Sequence, residues 1–370
     1  MLSTGGKEVE EAVASIVALL RPAVDRDWAD INAGRVDWSC RGTAEHVASD
    51  LVAYAGQLAS RAQSRYVPFD ITIEGREGGL DPADNEGILD VITTTGALLA
   101  AAIRTAPRDA RGFHPYPFRS ANREGFAAMG IAEVLLHAHD MAEGLGLPYE
   151  APAHLAEFVL TRIFPTVQPR PDHWQNLLWA TGRSDLPAHA GLPGRDRLTE
   201  WHWINNLVLD TERLRLEGVT PAAAADLAAG GTGGFDWIEG GPFEGTRDAA
   251  TMVTKAYEGG VHRPEFGLFV LVRREDDRAV GGMGFHGVPD EDGKAEVGYD
   301  LAEAARGNGY ATEALRALAK WALARDDVRS LFATVEPHNV PSHGVITRAG
   351  FMPVSAELDE KGLQAYELRG

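Results

Sequence analysis

The hydrophobic pattern of this chain changes period near residue 205, and this change limits the fold more than any other feature. In residues 1–205 apolar side chains recur at every third or fourth position, as they do along one face of an α-helix. In residues 206–370 short segments alternate apolar and polar residues, as half-buried β-strands do. The sequence therefore predicts two domains, a helical one over 1–205 and an α+β one over 206–370.

The first domain is predicted to be an up-down bundle of four or five helices. Prolines and glycines interrupt residues 164–200 and argue against a long element there. A short alternating run at 65–74 predicts one strand. The predicted helices cover about 8–27, 43–60, 85–105, 122–145 and 152–163.

The second domain is predicted to mix strands and helices in an irregular order, which favours an α+β domain. Its predicted strands are 207–217, 266–273, 279–285, 294–301, 330–335 and two segments near 352 and 366. Its predicted helices are 220–229, 248–257, 310–325 and 342–349.

Composition excludes several classes of partner. The net charge is −19, from 35 basic and 54 acidic residues, and no Lys/Arg cluster suits a nucleic-acid backbone. We expect no membrane span, because no uninterrupted apolar run approaches the roughly 18 residues that one requires. Acidic residues precede the first apolar stretch, which disfavours a signal peptide, and Cys40 is the one cysteine. A cytoplasmic protein is expected.

A glycine-containing loop at 306–311 is the most informative short segment. The strand that ends at Leu301 is followed by Arg-Gly-Asn-Gly-Tyr-Ala, and a helix then begins. Backbone N–H groups in such a loop, together with the positive end of the helix dipole, form an anion site suited to a pyrophosphate. The alternative is a plain strand–turn–helix link that needs glycine only for its turn. Neither a G-x-G-x-x-G pattern nor a Walker Lys-Ser/Thr is present here.

The wider segment resembles the GCN5-related N-acetyltransferase (GNAT) superfamily. Residues 306–311 match its (Gln/Arg)-x-x-Gly-x-(Gly/Ala) motif, and EVGYDLAEAARGNGYATEAL is similar to the ribosomal-protein alanine acetyltransferase branch. DTERLRLEGVTPAAAADL at 210–227 and EPHNVPSHGVITRAGF at 336–351 look like the family's opening and closing segments. The resemblance covers about 206–370. It implies a mixed, splayed sheet, acetyl-CoA as cosubstrate, and a small-molecule or peptide amine as acceptor.

The resemblance also implies roles for particular residues. Glu296 would be the base that takes the ammonium proton, and Ser342 would give a proton to the leaving thiolate, because Ile346 stands where many relatives have Tyr. The alternatives are a surface charge for Glu296 and a helix-start preference for Ser342. The implied cofactor-binding residues are Tyr299, Leu301, Arg306, Gly307, Asn308, Gly309, Tyr310, Ala311 and Asn339.

Three histidines in this domain, His286, His338 and His343, are weaker acid–base candidates. Each lies in a predicted loop or helix start, and spacing along the chain fixes no partner for any of them.

The helical domain carries a second candidate site. Glu133 and His137 are four residues apart on one predicted helix, so they share a face. His46 and Asp50 have the same spacing on another helix. Carboxylate and imidazole groups both bind zinc or another divalent ion. The alternative is a surface pair or a buried hydrogen-bonded pair.

This helix resembles part of the mycothiol-dependent maleylpyruvate isomerase N-terminal domain, one of the DinB-like bundles. The similar segments are AEVLLHAHDMAEGLGLPYEAP at 132–152 and LLWATGR…LPGRDRLTEWHW at 177–203. The resemblance implies a metal held by Glu133, His137 and a histidine of the second helix. Here His46 comes earlier than the family pattern, and Asp50 or Tyr54 occupies the expected region.

The main functional hypothesis is therefore acetyl transfer from acetyl-CoA to a primary amine by direct attack. A second hypothesis assigns the activity to the bundle, as a metal-dependent thiol transferase or isomerase. A third is a non-catalytic CoA-binding sensor.

Overall fold

The protein folds into two compact units in the computed structural model, which describes residues 2–67, 71, 73, 84–184 and 202–370. One unit spans Ser3–Asn205, and the other runs over Asn206–Gly370. The predicted strand at 65–74 and much of the segment 177–203 lie outside the described residues.

Six helices in the described part of the first unit surround a continuous apolar core. The fourth helix is central, because nearly all of its side chains are buried and it packs against the first, second and fifth helices. Asn122 caps its start and Gly146, at a φ of +62°, ends it. The helices are Gly6–Leu20 (α1), Cys40–Ser60 (α2), Asn85–Thr105 (α3), Arg123–Leu145 (α4), Ala153–Ile163 (α5) and His173–Ala180 (α6).

Several features of this unit differ from the sequence prediction. The first helix ends at Leu20 instead of 27, because Pro22 follows in a short 3-10 turn, and a sixth helix, α6, lies beyond the five that were predicted. The second helix begins at Cys40 instead of Thr43, because the Ser39 hydroxyl accepts a hydrogen bond from Gly42 N at 3.1 Å and caps it there. Strands β1, Arg111–Phe113, and β2, Ser120–Asn122, pair antiparallel where the sequence analysis placed no strand.

The third helix has the length and composition of a membrane span, contrary to the expectation from apolar runs. It covers Asn85–Thr105, and an 18-residue window of it has a mean hydropathy of 1.5, with half of that window buried. In this fold it packs against α1 and α2, with Ile88, Ile92 and Leu99 fully buried.

Nine strands of the described residues form one sheet in the second unit. Starting from one edge, the order is β10, β11, β9, β8, β7, β6, β4 and β3, and β5 pairs with β7. Pairing is antiparallel except at β8–β9 and β5–β7. The strands are Val208–Asp210 (β3), Leu214–Gly218 (β4), Asp236–Trp237 (β5), Leu268–Arg273 (β6), Arg278–Phe285 (β7), Lys294–Leu301 (β8), Ser330–Val335 (β9), Met352–Pro353 (β10) and Gln364–Arg369 (β11).

Four helices accompany this sheet. Pro221–Ala228 (α7) and Glu244–Glu258 (α8) pack together, and α8 also contacts β6, β7 and β8. Tyr310–Leu323 (α9) follows β8, and Val340–Arg348 (α10) follows β9. The predicted single strand at 207–217 is wrong: the polar residues in its middle form a turn, in which Thr211 N donates to Leu214 O at 2.8 Å.

Candidate functional site

Strands β8 and β9 separate part of the way along their length. They pair in parallel only from Lys294 opposite Ser330 to Glu296 opposite Phe332. Beyond these pairs, Val297–Asp300 and Ala333–Glu336 line opposite sides of a cleft of about 380 Å³. The predicted splay of the sheet is therefore present, and it leaves room for an extended ligand.

Glycines form much of the sheet surface in this cleft. A Cβ on Gly282 would lie 2.5 Å from the Thr246 hydroxyl, so the start of α8 approaches the sheet only because that position has no side chain. Asp300 fixes this approach, since it accepts hydrogen bonds from Thr246 N at 2.8 Å, Thr246 Oγ1 at 2.6 Å and Gly282 N at 2.9 Å. The wall that α8 contributes is therefore attached firmly to the strands.

The glycine loop after β8 has the geometry of an anion site. Gly307 and Gly309 have φ values of +79° and +78°, a region that glycine adopts without strain. The hydrogen-bond ladder of α9 begins at Glu313 N, which donates to Gly309 O at 3.1 Å, so the preceding N–H groups have no acceptor within the helix. The Thr312 hydroxyl in this first turn is buried and has no partner in the part of the chain that the structure describes. These groups fit the pyrophosphate of coenzyme A.

The predicted cofactor residues divide between the loop and the cleft. The Arg306 and Asn308 side chains turn back onto the loop, where Arg306 Nε donates to Leu301 O at 3.3 Å and Asn308 Nδ2 to Ala305 O at 3.1 Å. They brace the turn, which leaves its backbone N–H groups to meet a ligand. Tyr310 and Ala311 begin α9.

Arg213 is a loop partner that the sequence analysis missed. It lies in the turn between β3 and β4, and its guanidinium donates to Asn308 O at 2.9 Å and to Glu313 at 2.7 Å. Its charge is paired with the Glu313 carboxylate, so Arg213 fixes the loop against the first turn of α9. Nearly 100 residues separate Arg213 from the loop, so no local pattern indicated the contact.

Three predicted residues meet at the mouth of the splay. Asn339 Oδ1 accepts from Ser342 N at 3.2 Å and so caps α10, while the Tyr299 hydroxyl donates to Ser342 O at 3.4 Å. All three line the cleft. Burial raises the pKa of Tyr299, which keeps its hydroxyl protonated.

Glu296 lies next to the cleft without lining it, and His286 is its neighbour. One Glu296 oxygen accepts from the Thr334 hydroxyl at 3.3 Å, and the other lies 3.4 Å from His286 Nδ1. His286 lines the cleft. The predicted base therefore has a histidine partner that chain spacing did not reveal.

In the first unit the structure brings His46, Glu133 and His137 together. One potential ligand atom from each lies within 4.8 Å of the others. Glu133 Oε2 is 3.2 Å from His137 Nε2 and 3.6 Å from His46 Nε2. His46, although it comes earlier along the chain than the family pattern, lies beside Glu133 and His137 in this fold. Asp50 lies 3.4 Å from His46 Nε2 at the edge of this cluster.

Further residues orient the cluster. His137 Nδ1 lies 3.0 Å from Asp140, and Arg183 donates twice to the same carboxylate, at 2.8 and 2.9 Å. Burial disfavours charge on the imidazole, but the hydrogen bonds of Asp140 and Glu133 outweigh it and raise the pKa of His137 to about 9. The Trp38 ring lies over His46, with 4.7 Å between their centroids.

This donor set fits a divalent ion such as zinc. Two imidazoles and one carboxylate are a known zinc ligand set, and Asp140 leaves Nε2 of His137 directed at the cluster. Burial opposes the charge of Glu133, yet its histidine partners hold its pKa well below the ordinary value, so it is anionic as a ligand must be.

A comparison with protein families identifies the second unit. Residues 213–352 match the family model described as Acetyltransferase (GNAT) domain. Residues 213–352, which lie within the second unit, are therefore similar to the GNAT acetyltransferase domain. The resemblance stated from the glycine loop is confirmed for this part of the chain.

Two curated relatives share part of this sequence. The uncharacterized N-acetyltransferase YjdG of Bacillus subtilis (strain 168) is 36% identical over 87 residues, which are 24% of this chain and 52% of that protein. The uncharacterized N-acetyltransferase p20 of Bacillus licheniformis is 32% identical over 106 residues, which are 28% of this chain and 57% of that protein. The chain thus spans about half the length of the curated relatives it matches.

Solved structures of acetyltransferases also match part of this chain. The acetyltransferase from Agrobacterium tumefaciens str. C58 is 25% identical, with a TM-score of 0.32, over 48% of this chain and 100% of that chain. The ribosomal-protein-S5-alanine acetyltransferase from Vibrio fischeri is 14% identical, with a TM-score of 0.33, over 44% of this chain and 96% of that chain. Both matches cover less than half of this chain.

Proposed function

We propose that this protein transfers an acetyl group from acetyl-CoA to a primary amine, by direct attack within a ternary complex. The observation that carries the proposal is the cleft where β8 and β9 stop pairing, in a unit whose next loop has the geometry of an anion site. A thioester directed through the splay would bring its carbonyl to the cleft while its pyrophosphate stays at the loop.

Each part of the site has a role in this proposal. The N–H groups of Gly307 to Ala311 hold the pyrophosphate, with Arg213 beside them. The edge of β8 from Tyr299 to Leu301 pairs with the pantetheine arm, and a main-chain N–H there polarises the thioester carbonyl. Asn339 contacts the arm from the opposite side of the splay.

Proton transfer completes the proposed reaction. The amine must lose a proton before it can attack, and Glu296 is the proposed carboxylate that drives this step. The departing thiolate needs a proton, for which Ser342 is the proposed donor. The Tyr299 hydroxyl, which donates to the Ser342 carbonyl, places a second O–H group at that end of the cleft.

The charge of the cleft favours a positively charged acceptor. Its described lining contains the carboxylates Asp248, Asp300 and Glu336 and neither Lys nor Arg. A small-molecule or peptide amine, cationic in its resting state, fits this surface electrostatically.

The test is acetyl-CoA consumption in the presence of a panel of amines, including a diamine, a polyamine, an aminoglycoside and a short peptide with a free N-terminus. We expect acetyl-CoA to bind and at least one amine to raise the rate of CoA release above the rate with acetyl-CoA alone. Binding without any amine-dependent release would contradict acetyl transfer and favour the CoA-binding sensor.

A second candidate function belongs to the first unit. The grouping of His46, Glu133 and His137 favours a bound divalent ion such as zinc, as in a DinB-like bundle. The ion would act as a Lewis acid. Asp140, held by Arg183, would keep the His137 ring in the orientation that binding an ion requires. A thiol transferase or isomerase is the activity that such a site supports.

Elemental analysis of purified protein tests this candidate. We expect close to one divalent ion per chain, and its loss in His137→Ala. His139→Ala, which changes a histidine of the same helix outside the cluster, is the control. Absence of a stoichiometric metal from protein prepared without chelators would contradict the metal site.

A further inference from the structure

Five titratable side chains line the cleft, and most are unsuited to accept the acceptor's proton. Asp300 already accepts three hydrogen bonds that attach α8 to the sheet. Tyr299 stays protonated because burial raises its pKa. Asp300 is therefore occupied in holding α8, and a neutral phenol is too weak a base to take a proton from an ammonium ion at neutral pH.

Two further carboxylates lie at the rim. Asp248 is exposed on α8. Glu336 is exposed at the end of β9 and lies 3.1 Å from His338 Nε2, which is itself more exposed. These groups can attract a cation. Exposure does not distinguish them from His286, whose side chain is also exposed, but His286 lies directly over strand β8.

His286 occupies a different position, which the strand register fixes. Phe285 pairs with Val297, so His286 comes next, opposite Glu296, and its N–H donates to Glu296 O at 3.0 Å. Residues opposite each other in an antiparallel pair project from the same face. This explains why His286 Nδ1 lies 3.4 Å from the Glu296 carboxylate.

The other ring nitrogen of His286 lies over Gly298. A Cβ on Gly298 would be 2.6 Å from His286 Nε2, so the imidazole covers strand β8 where a side chain is missing. Gly298 is two residues beyond the last β8–β9 pair at Glu296. His286 Nε2 is therefore held at the opening of the splay, where the proposed function puts the thioester carbonyl.

We propose that His286 is the general base of this domain and that Glu296 is its positioning residue. The inference rests on the proposed acetyl transfer. The Glu296 carboxylate lies 3.4 Å from Nδ1, which favours the tautomer that carries its proton there and leaves the Nε2 lone pair free. The histidine thus replaces the carboxylate as the group that contacts the acceptor.

The reaction balances with these groups. Nε2 takes one proton from the ammonium, and the freed nitrogen lone pair forms a bond to the thioester carbonyl carbon. When the tetrahedral intermediate collapses, the carbon–sulfur bond breaks, and the nitrogen loses a second proton as the thiolate gains one. The products are the amide and CoA thiol, and His286 releases its proton to solvent.

A double-mutant cycle on the full chain tests the proposal, with the best amine from the panel as acceptor. His286→Ala should lower kcat/KM by about 10² to 10⁴, the usual contribution of a general base. Added imidazole should restore part of that rate, which it would not do if the ring were merely structural. Acetyl-CoA affinity, measured by calorimetry on the same sample, should stay unchanged and shows that the variant is folded. His338→Ala, at an exposed histidine, is the control and should keep its activity.

The cycle separates the two residues. Glu296→Gln should lower the rate in the wild-type chain but have almost no effect in the His286→Ala background, because it acts only through the ring. An equal loss in both backgrounds would make Glu296 itself the base and overturn the proposal, as would full activity of His286→Ala. If the wild-type chain acetylated no amine, the proposed function would fail and this inference with it.

Discussion

The two candidate sites of this protein are built from different materials. The cluster in the first unit consists of side chains that neutralise one another: the half-buried His46, the buried Glu133 and His137, and the buried Asp140–Arg183 pair behind them. The site in the second unit consists largely of backbone, with glycines, a strand gap and an uncapped helix start. A site of the first kind is damaged when a side chain is removed, and one of the second kind when a side chain is added. Four predictions test this difference.

The largest effect is expected at the loop. Gly309→Glu adds bulk and negative charge where the pyrophosphate would lie, and it also forces a positive φ on a non-glycine residue. We expect acetyl-CoA binding to fall below detection by calorimetry. Gly362→Glu is the matched control, because that glycine has a φ of +79° and open space around it. Equal losses in both variants would mean that the loop has no special role.

The next effect concerns stability of the first unit. Asp140→Ala leaves Arg183 buried without its carboxylate, and breaking a buried pair in this way costs about 3–5 kcal/mol. Scanning calorimetry should show a destabilised transition while acetyl-CoA affinity is kept. Glu10→Ala, which breaks an exposed pair with Arg104, should cost less than about 1 kcal/mol. Similar losses in the two variants would refute the distinction between buried and exposed pairs.

A smaller effect is expected on the pH dependence of metal binding, because His137 must release a proton when an ion binds. The raised pKa of His137, about 9, means that this ring is protonated at pH 7 in the metal-free protein and must lose its proton to bind an ion. Zinc affinity should therefore rise by about tenfold per pH unit between pH 7 and 9, and level off above that. Titrations in two buffers of different ionisation enthalpy measure the released proton. Heats that do not depend on the buffer would contradict the protonated state.

The smallest effect is expected for Ser342→Ala. Loss of one hydrogen bond to the thiolate, about 0.5–1.5 kcal/mol, corresponds to a roughly two- to tenfold lower kcat. Raising the pH should not restore the rate, because the missing group donates a proton instead of accepting one. Ser355→Ala, at an exposed serine of the same unit, is the control. A loss above a hundredfold would require a larger role for Ser342.

Local pattern predicted much of the fold. The prediction for the third helix, Asn85–Thr105, is confirmed to the residue, and so are those for β8, Lys294–Leu301, and β9, Ser330–Val335. Each of these elements has a regular apolar period and polar or glycine residues at both ends. The prediction of one strand at 207–217 is wrong for a different reason. Two short strands joined by a turn show the same alternation of apolar and polar residues as a single strand.

Contacts between distant segments explain what the sequence did not reveal. The i, i+4 spacing predicted that Glu133 and His137 share a face of α4. His46 belongs to α2, and it lies beside them because α2 packs against α4. The β7–β8 register pairs His286 with Glu296, and the β3–β4 turn brings Arg213 to the glycine loop. Sequence spacing defines neighbours along one element, whereas each of these partners belongs to another element.

The missing side chain at Gly282 has a consequence for the choice of acceptor. Because a single added carbon would meet the Thr246 hydroxyl at 2.5 Å, any larger residue there must push the first turn of α8 away from the strands. The width available to an incoming amine therefore depends on how close that turn can come. Exchange of this glycine for alanine would therefore move that turn outward. Position 282 thus controls the room for an acceptor without a change in the proton-transfer groups or the donor loop.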